Sequence, residues 1–316
     1  MGLEIRPMLA DDFVTLQKLI PYVFAELFTR ETGRRHSLPP RTAPELAYYL
    51  ESDPKGSFSA VWNGKVIGCA FAHLWGDVGW TGPLAVHPDW QGRGIGKELL
   101  AAATEYLRRS GAGTIGLETM PQTVYNLGLY MKSGYRPGHL RLRCTKDIGT
   151  SRPELARDLP EFLPVTAAAV PVLLPAVQSI SERLESGLDY RKEVLLTYKY
   201  GLGEIIELRR EGAMIGFCLY HRLTAPGRAL VKILAVDPSA GSPELFRQYL
   251  AACELTLSRR GIRQLTVPVY GEYSDVCGWL LSEGYTISNA GVRLFLRRRE
   301  AAPVRSDLIH LVQWSG

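Results

Sequence analysis

The block Leu84-Ala85-Val86-His87-Pro88 returns as Leu234-Ala235-Val236-Asp237-Pro238, and Ser133-Gly134-Tyr135 returns as Glu283-Gly284-Tyr285. Both pairs lie 150 positions apart, with no net gap between them. Upstream, Ile67-Gly68 and His73 match Ile215-Gly216 and His221 at an interval of 148, so a connecting loop differs by two residues. Self-similarity at such an interval points to two copies of one domain. The 316 residues suit this, because a domain of roughly 150 residues can bury a core of its own. The chain divides into a domain over 1–147, a linker over 148–162 containing Gly149-Thr150-Ser151-Arg152-Pro153, and a second domain over 163–316.

Within the first copy, Leu3 to Pro7 is a short strand. Asp11 or Asp12 opens a helix with Phe13, Leu16, Leu19, Ile20, Val23 and Phe24 on one face, the spacing of an amphipathic helix. A second helix is expected near Pro44 to Leu50. Strands follow at Phe58 to Trp62, at Lys65 to Leu74 after the Asn63-Gly64 turn, and at Trp80 to Val86; Asn-Gly is the dipeptide that two-residue hairpins favour. A long helix from Gly94 to Ser110, a strand at Thr114 to Thr119, a helix at Val124 to Lys132 and a strand from Tyr135 to Cys144 complete the copy. The second copy repeats the later part: strands near Glu204 to Arg210, Ala213 to Tyr220 and Ala229 to Val236, a helix over Pro243 to Arg260, a strand at Gln264 to Val269, a helix at Ser274 to Ser282 and a strand after Tyr285. The apolar tail after Pro303 (Leu308, Ile309, Leu311, Val312, Trp314) is expected to pack as a last strand. The order predicts an α/β (α+β) protein whose two tandem domains each hold a mixed, mostly antiparallel central sheet flanked by helices.

Composition excludes several classes. Hydrophobic residues make 46% of the chain and charged residues 22%, the balance of a soluble globular protein. The net charge of +5 is spread evenly, 17 Lys+Arg against 14 Asp+Glu up to Thr150 and 20 against 18 beyond it. The one dense basic run, Arg297-Arg298-Arg299, is relieved by Glu300, so no nucleic-acid partner is expected. Cys69, Cys144, Cys218, Cys253 and Cys277 form no Cys-x-x-Cys pair, which argues for reduced buried thiols and against a metal site. No stretch approaches the roughly 20 apolar residues that span a bilayer, and the N-terminus has no signal core. A cytoplasmic protein without a membrane partner is the simplest expectation.

The stretch Val86-His87-Pro88-Asp89-Trp90-Gln91-Gly92-Arg93-Gly94-Ile95-Gly96-Lys97 lies between a strand and the long helix. Glycines let ligand approach backbone and allow unusual dihedrals. Successive N–H groups can then converge on an anion at the positive end of the helix. A diphosphate is the natural guest, with Arg93 and Lys97 adding charge. Spacing excludes the dinucleotide fingerprint, which needs glycine where Lys97 stands, and the P-loop, which needs glycine at Gln91 and Ser or Thr at Glu98. What fits is Gln/Arg-x-x-Gly-x-Gly/Ala, met by Gln91, Gly94 and Gly96. In this the chain resembles the Gcn5-related N-acetyltransferases, over essentially all of 1–147 and more faintly over the second copy. The resemblance implies tandem acyl-coenzyme A N-acyltransferase domains and acetyl-coenzyme A as co-substrate. It also implies that the pantetheine arm pairs with the backbone of Leu84, Ala85 and Val86, and that the pyrophosphate lies on the amides from Gln91 through Gly92, Arg93, Gly94, Ile95 and Gly96 to Lys97.

A second block, Leu117-Glu118 and then Leu129-Tyr130-Met131-Lys132-Ser133-Gly134-Tyr135, resembles the family's Leu-Glu-Val and Leu-Tyr…Gly-Phe/Tyr pattern. Acetyl transfer to an amine needs a base for the ammonium proton and an acid for the thiolate. By the resemblance Tyr130 is the acid, and Glu118, or a water, is the base. Thr123 stands where the family usually has Asn, and Asn126 where it usually has Ala, so Asn126 is a candidate cofactor contact. A backbone N–H near Val86 would meet the oxyanion. His73 and His87 are weaker alternative bases; His73 has its counterpart in His221, outside the signature-bearing copy.

In the second copy Gln91 becomes Gly241, Gly92 Ser242, Gly94 Glu244, Gly96 Phe246 and Tyr130 Leu280. A carboxylate at the helix start repels a diphosphate, so this copy is expected to be catalytically silent. The expected activity is acetyl transfer to a primary amine, on a small molecule or a peptide. Glu26, Glu31 and Asp77 are candidates to hold its ammonium group, and Tyr22, Phe28 and Trp80 to line its pocket. A homodimer is compatible with the sequence. The competing reading is a coenzyme A-binding sensor without turnover.

Overall fold

The computed structural model describes residues 2–149, 161–298 and 310–314. Residues 150–153 of the linker, Arg299, Glu300, Pro303, Leu308 and Ile309 lie outside the described residues.

The first half runs β1 (Leu3–Pro7), α1 (Phe13–Thr32), α2 (Ala43–Ser52), β2 (Ser57–Trp62), β3 (Lys65–Trp75), β4 (Val78–Val86), α3 (Ile95–Arg109), β5 (Thr114–Thr119), α4 (Val124–Lys132) and β6 (Arg136–Asp147). The second half repeats this in full: β7 (Glu161–Pro164), α5 (Val170–Leu184), α6 (Arg191–Lys199), β8 (Gly203–Arg210), β9 (Ala213–Arg222), β10 (Arg228–Val236), α7 (Pro243–Arg259), β11 (Gln264–Tyr270), α8 (Ser274–Ser282) and β12 (Thr286–Arg297). A short β13 (His310–Val312) follows.

Local chemistry sets the boundaries. Thr42 and Glu45 cap α2 reciprocally: Glu45 N donates to Thr42 Oγ1 at 3.3 Å and Thr42 N to Glu45 Oε2 at 2.7 Å, a capping box with Pro44 in the first turn. Gly33, at φ 67°, ends α1 in the left-handed region. Asn63 and Gly64 both take positive φ, 47° and 82°, the turn whose twist suits a two-residue hairpin.

Compactness and sequence repeat do not divide the chain at the same places. Among the described residues one compact unit gathers 2–138 with 292–298, and the other 139–291 with 310–314. In the first unit the strand order is β1-β2-β3-β4-β5 followed by the end of β12. All pairings are antiparallel except β4 with β5. In the second unit β7-β8-β9-β10-β11 is followed by β6, again antiparallel except β10 with β11. Each copy's last strand thus completes the sheet that begins with the other copy's strands. Hydrophobic patterning does not reveal this, because the two closing strands are equivalent by repeat and present the same alternation to either sheet.

In the first unit α3 lays Ile95, Leu99, Ala103 and Leu107 on Ala60, Ile67, Ala70, Ala72, Val86 and Ile115. Full burial of each large side chain stabilises by about 2 kcal/mol. Strand alternation turns Phe71 and His73 the other way, where Tyr49 of α2 meets both at 5.2 and 5.3 Å between ring centroids. Trp80 is registered with His73 and with Gly116, so it shares this α2 face. Phe295 of β12 meets it edge-on at 5.8 Å.

Gly116 is where this packing is least forgiving, since a Cβ there would collide with the six-membered ring of Trp80. Gly116→Ala is expected to cost about 1–3 kcal/mol through overpacking, measured as a lower midpoint of urea unfolding.

Candidate functional site

The site begins where β4 leaves β5. Their parallel register runs from Val78↔Thr114 to Thr81↔Leu117 and ends there. Beyond it, Leu84, Ala85 and Val86 remain registered with Ala70, Cys69 and Gly68 of β3 on one edge. No β5 residue is registered with them on the other edge, among the described residues. A strand edge with its hydrogen-bonding groups turned to a gap is a template for an extended, amide-bearing guest.

This edge runs straight into the glycine loop. His87 N donates to Ile67 O at 2.8 Å, Trp90 N to His87 O at 2.8 Å and Gln91 N to Pro88 O at 3.1 Å. Gln91 Nε2 reaches back to Val86 O at 2.9 Å, so the signature glutamine ties the loop to the end of β4. Gly92 and Gly94 take φ values of 77° and 85°, which L residues rarely adopt. A Cβ on either would meet nothing within 4 Å. The glycines are needed for their dihedrals, and the space beside them is open. A Cβ on Gly96 would rest at 3.8–3.9 Å from Leu129, Leu84 and Val86, so α3 starts close against β4 and α4. Ile95 is buried and anchors the turn, while Arg93 is exposed and lies over Trp90 at 4.7 Å. Lys97 is exposed. No side chain caps α3, and the first N–H groups of a helix have no partner within it. The loop therefore presents uncapped amides at a positive helix end, which fits a diphosphate.

Tyr130 and Glu118 flank the same gap from opposite faces. Tyr130, 8% exposed, packs with Leu100, Leu117, Tyr135, Val292 and Leu294, and Leu84 of β4 joins that cluster. Burial pushes its phenol well above the ordinary value; Tyr135 and Tyr125 add to this and the Thr119 hydroxyl opposes it. The hydroxyl therefore keeps its proton at neutral pH, as an acid must. Glu118 alternates to the α2 face. There Arg293 Nε donates to its Oε1 at 3.1 Å, with Glu118's side chain 2% exposed. Asn126 lies half-buried in the first turn of α4. Thr123, just before it, is fully buried, and its hydroxyl has no hydrogen-bond partner. Arg293 and Thr119 were outside the sequence reading. Arg293 belongs to the exchanged strand, so nothing near Glu118 in the chain could have pointed to it.

The remaining candidates are divided between the core, α1 and the loops. His73 is 3% exposed, ringed by Tyr49, Phe71 and Trp75, with Nδ1 4.0 Å from Asp53. His87 Nδ1 accepts from Asp89 N at 3.3 Å, and its ring sits 5.5 Å from Tyr22. Trp80 is 1% exposed and belongs to the core. Asp77 O accepts from Gly113 N and Thr114 N. Glu26 is exposed and Glu31 half-buried on α1; Phe28 packs on His36 at 5.8 Å. Arg30 Nη2 reaches Gln91 Oε1 at 3.4 Å and lies over Tyr125 at 5.6 Å, linking α1 to the loop and α4. Burial pushes the Cys69 and Cys144 thiols up to about 12, so neither is a ready nucleophile. No group of three His, Cys, Asp or Glu among the described residues is arranged to hold a metal. No described helix is long and apolar enough to cross a membrane.

The second unit has the same gap, filled. β10 pairs with β11 over Arg228, Ala229 and Leu230. Further along, its Ile233, Leu234 and Ala235 pair with Val312, Leu311 and His310 of β13. Those β10 residues stand 150 positions after Pro83, Leu84 and Ala85. Tyr270 Oη donates to Val312 O and Gln313 N to Lys232 O. The start of α7 is closed as well: Ser242 Oγ accepts from Leu245 N at 3.1 Å, Glu244 lies in the first turn, and Phe246 packs edge-on against Trp279 at 5.4 Å.

Residues 22–135 match the acetyltransferase (GNAT) family. In fold the chain is similar to a proposed acetyltransferase from Pyrococcus horikoshii (TM-score 0.70, 19% identity, 99% of this chain and 95% of that one). It is also similar to a Gcn5-related N-acetyltransferase from Sphaerobacter thermophilus (0.62, 18%, 96% and 98%). A third likeness is to a tandem GNAT protein from the clavulanic acid biosynthesis pathway (0.59, 19%, 96% and 100%). At these identities the likenesses establish the fold alone. No curated protein sequence matches the chain.

His221, the counterpart of His73, yields a pH prediction. Its Nε2 lies 2.8 Å from Thr197 Oγ1. Burial lowers it from 6.5 to about 4, with Glu193 raising it and Lys232 lowering it. The unfolded chain therefore takes up this proton first. The stability that neutral His221 contributes is fully present above 6.5 and is lost as pH falls toward 4. His221→Gln is expected to make the slope of unfolding free energy against pH shallower across that window, by up to about 1.4 kcal/mol per pH unit, as read by urea titrations at each pH.

Proposed function

We propose, for a chain whose residues 22–135 match the acetyltransferase (GNAT) family, that its first unit transfers the acetyl group of acetyl-coenzyme A to a primary amine. The superfamily supports N-acyl transfer as the activity class. The observation that carries the specific reading is the continuity of the open β4 edge, Leu84 to Val86, with the uncapped glycine loop at the start of α3. An amide-bearing arm followed by a diphosphate is the guest with that order of groups.

In this reading Leu84, Ala85 and Val86 hold the arm through backbone, and the amides from Gln91 to Lys97 hold the diphosphate. The amine nitrogen attacks the thioester carbonyl, forming C–N, and the oxyanion takes a backbone N–H near Val86. The ammonium proton passes to Glu118 or to water as C–S breaks, and Tyr130 gives its proton to the departing thiolate. The two proton transfers act from opposite faces of the sheet, so neither group blocks the other. Asn126 is a further contact for the cofactor from α4. The acceptor is a small-molecule or peptide amine approaching from the α2 face. The second unit is silent in this reading, because β13 lies along its edge, Ser242 caps the helix start and Glu244 there repels a diphosphate.

The test is thiol release from acetyl-coenzyme A with putrescine, glycylglycine and kanamycin as acceptors. Release is expected with at least one. Tyr130→Phe should lower kcat about a hundredfold, the low end for a general acid, and Gly94→Glu should abolish cofactor binding. Calorimetry should give one acetyl-coenzyme A per chain. No release from any acceptor, with tight Gly94-dependent binding, would favour the sensor reading instead; two cofactors per chain would contradict the silent second unit.

A further inference from the structure

Glu118 is held by a residue that sequence places 175 positions away. Across the β5–β12 pairing Leu294 faces Leu117, Arg293 faces Glu118 and Val292 faces Thr119. Alternation sends Val292 and Leu294 to the Tyr130 side, where both join its cluster. Arg293 and Phe295 go to the other side, against Trp80: the guanidinium carbon lies 5.3 Å from the ring centroid and Phe295 packs edge-on. Arg293 is thus held by the Trp80 ring face and by the Glu118 carboxylate. Its side chain is 11% exposed and that of Glu118 2%.

Such a pair is costly to bury and costly to break, because each member offsets the other's charge in a low dielectric. A planar guanidinium also fixes the direction of a carboxylate, which a flexible ammonium does less well. Glu118 stands one residue past Leu117, the last β5 residue registered with β4. Its orientation therefore decides what the amine meets on the α2 face of the gap.

We propose that Arg293 is a positioning residue of the acetyl-transfer site, aiming the Glu118 carboxylate at the attacking amine. The second copy, on this account, is retained because its closing strand supplies Arg293 to the first unit's sheet. So aimed, the carboxylate orients the ammonium group and takes its proton, directly or through a water. This inference rests on reading Glu118 as part of the site.

The experiment is a double-mutant cycle in the full chain: Arg293→Gln, Glu118→Gln and both together, with Arg293→Lys beside them. kcat and KM are measured with the panel amine that gives the fastest thiol release, and cofactor affinity and Tm are measured for each variant. Arg293→Gln should lower kcat by about tenfold or more while acetyl-coenzyme A affinity stays within about twofold, and Arg293→Lys should restore kcat in part. In the Glu118→Gln background the Arg293→Gln change should have little further effect, since groups acting as a unit are non-additive. Equal falls in both backgrounds, or a fall in Tm with kcat unchanged, would make Arg293 merely structural and overturn the inference. Parental kcat in Glu118→Gln would remove Glu118 from the mechanism and the inference with it, leaving the Tyr130 reading standing.

Discussion

Everything in the first unit that bears on chemistry depends on β4 parting from β5 after Thr81. A strand in the middle of a sheet normally has both edges satisfied, and an unpaired buried edge is expensive. Here one edge is held to β3 through Val86 while the other opens toward the glycine loop. The opening supplies hydrogen-bonding groups at a depth where water competes poorly. It also separates the two faces of the sheet, with Tyr130 on one and Glu118 on the other.

The second unit shows the same geometry with its strand edge occupied. Its β10 edge is taken by β13, its helix start is capped by Ser242, and Phe246 and Leu280 stand where Gly96 and Tyr130 stood. Nearby, Glu193 and Lys232 are buried together at 3.9 Å, and His221 lies 3.7 Å from the same carboxylate. The gap is filled with the chain's own backbone, as expected if an open strand edge must be satisfied by something.

Much of this was legible in the sequence because it rests on local signals. The Asn63-Gly64 turn and the glycines at 92 and 94 are positions where few residues are tolerated. The strand at Thr114–Thr119 and the helix at Val124–Lys132 fall where periodicity puts them. The exchange of closing strands was not legible, since β6 and β12 carry equivalent patterns and either could close either sheet. Arg293 was hidden for the same reason. The helix α5 was not legible, because Pro171 and Pro175 interrupt an Ala- and Val-rich stretch that reads poorly as helix. The tail's strand character was visible in Leu311 and Val312, but its partner, the β10 edge, was not.

The central claim is that the β4 edge is open for a pantetheine arm and the β10 edge is closed by β13. Amide hydrogen exchange with and without coenzyme A tests it most directly. The account predicts that adding coenzyme A slows exchange at Leu84 to Val86 and across Gly92 to Lys97, while Ile233 to Ala235 is protected beforehand and unchanged. Ligand-dependent protection at Ile233 to Ala235, or none at Leu84 to Val86, would contradict it.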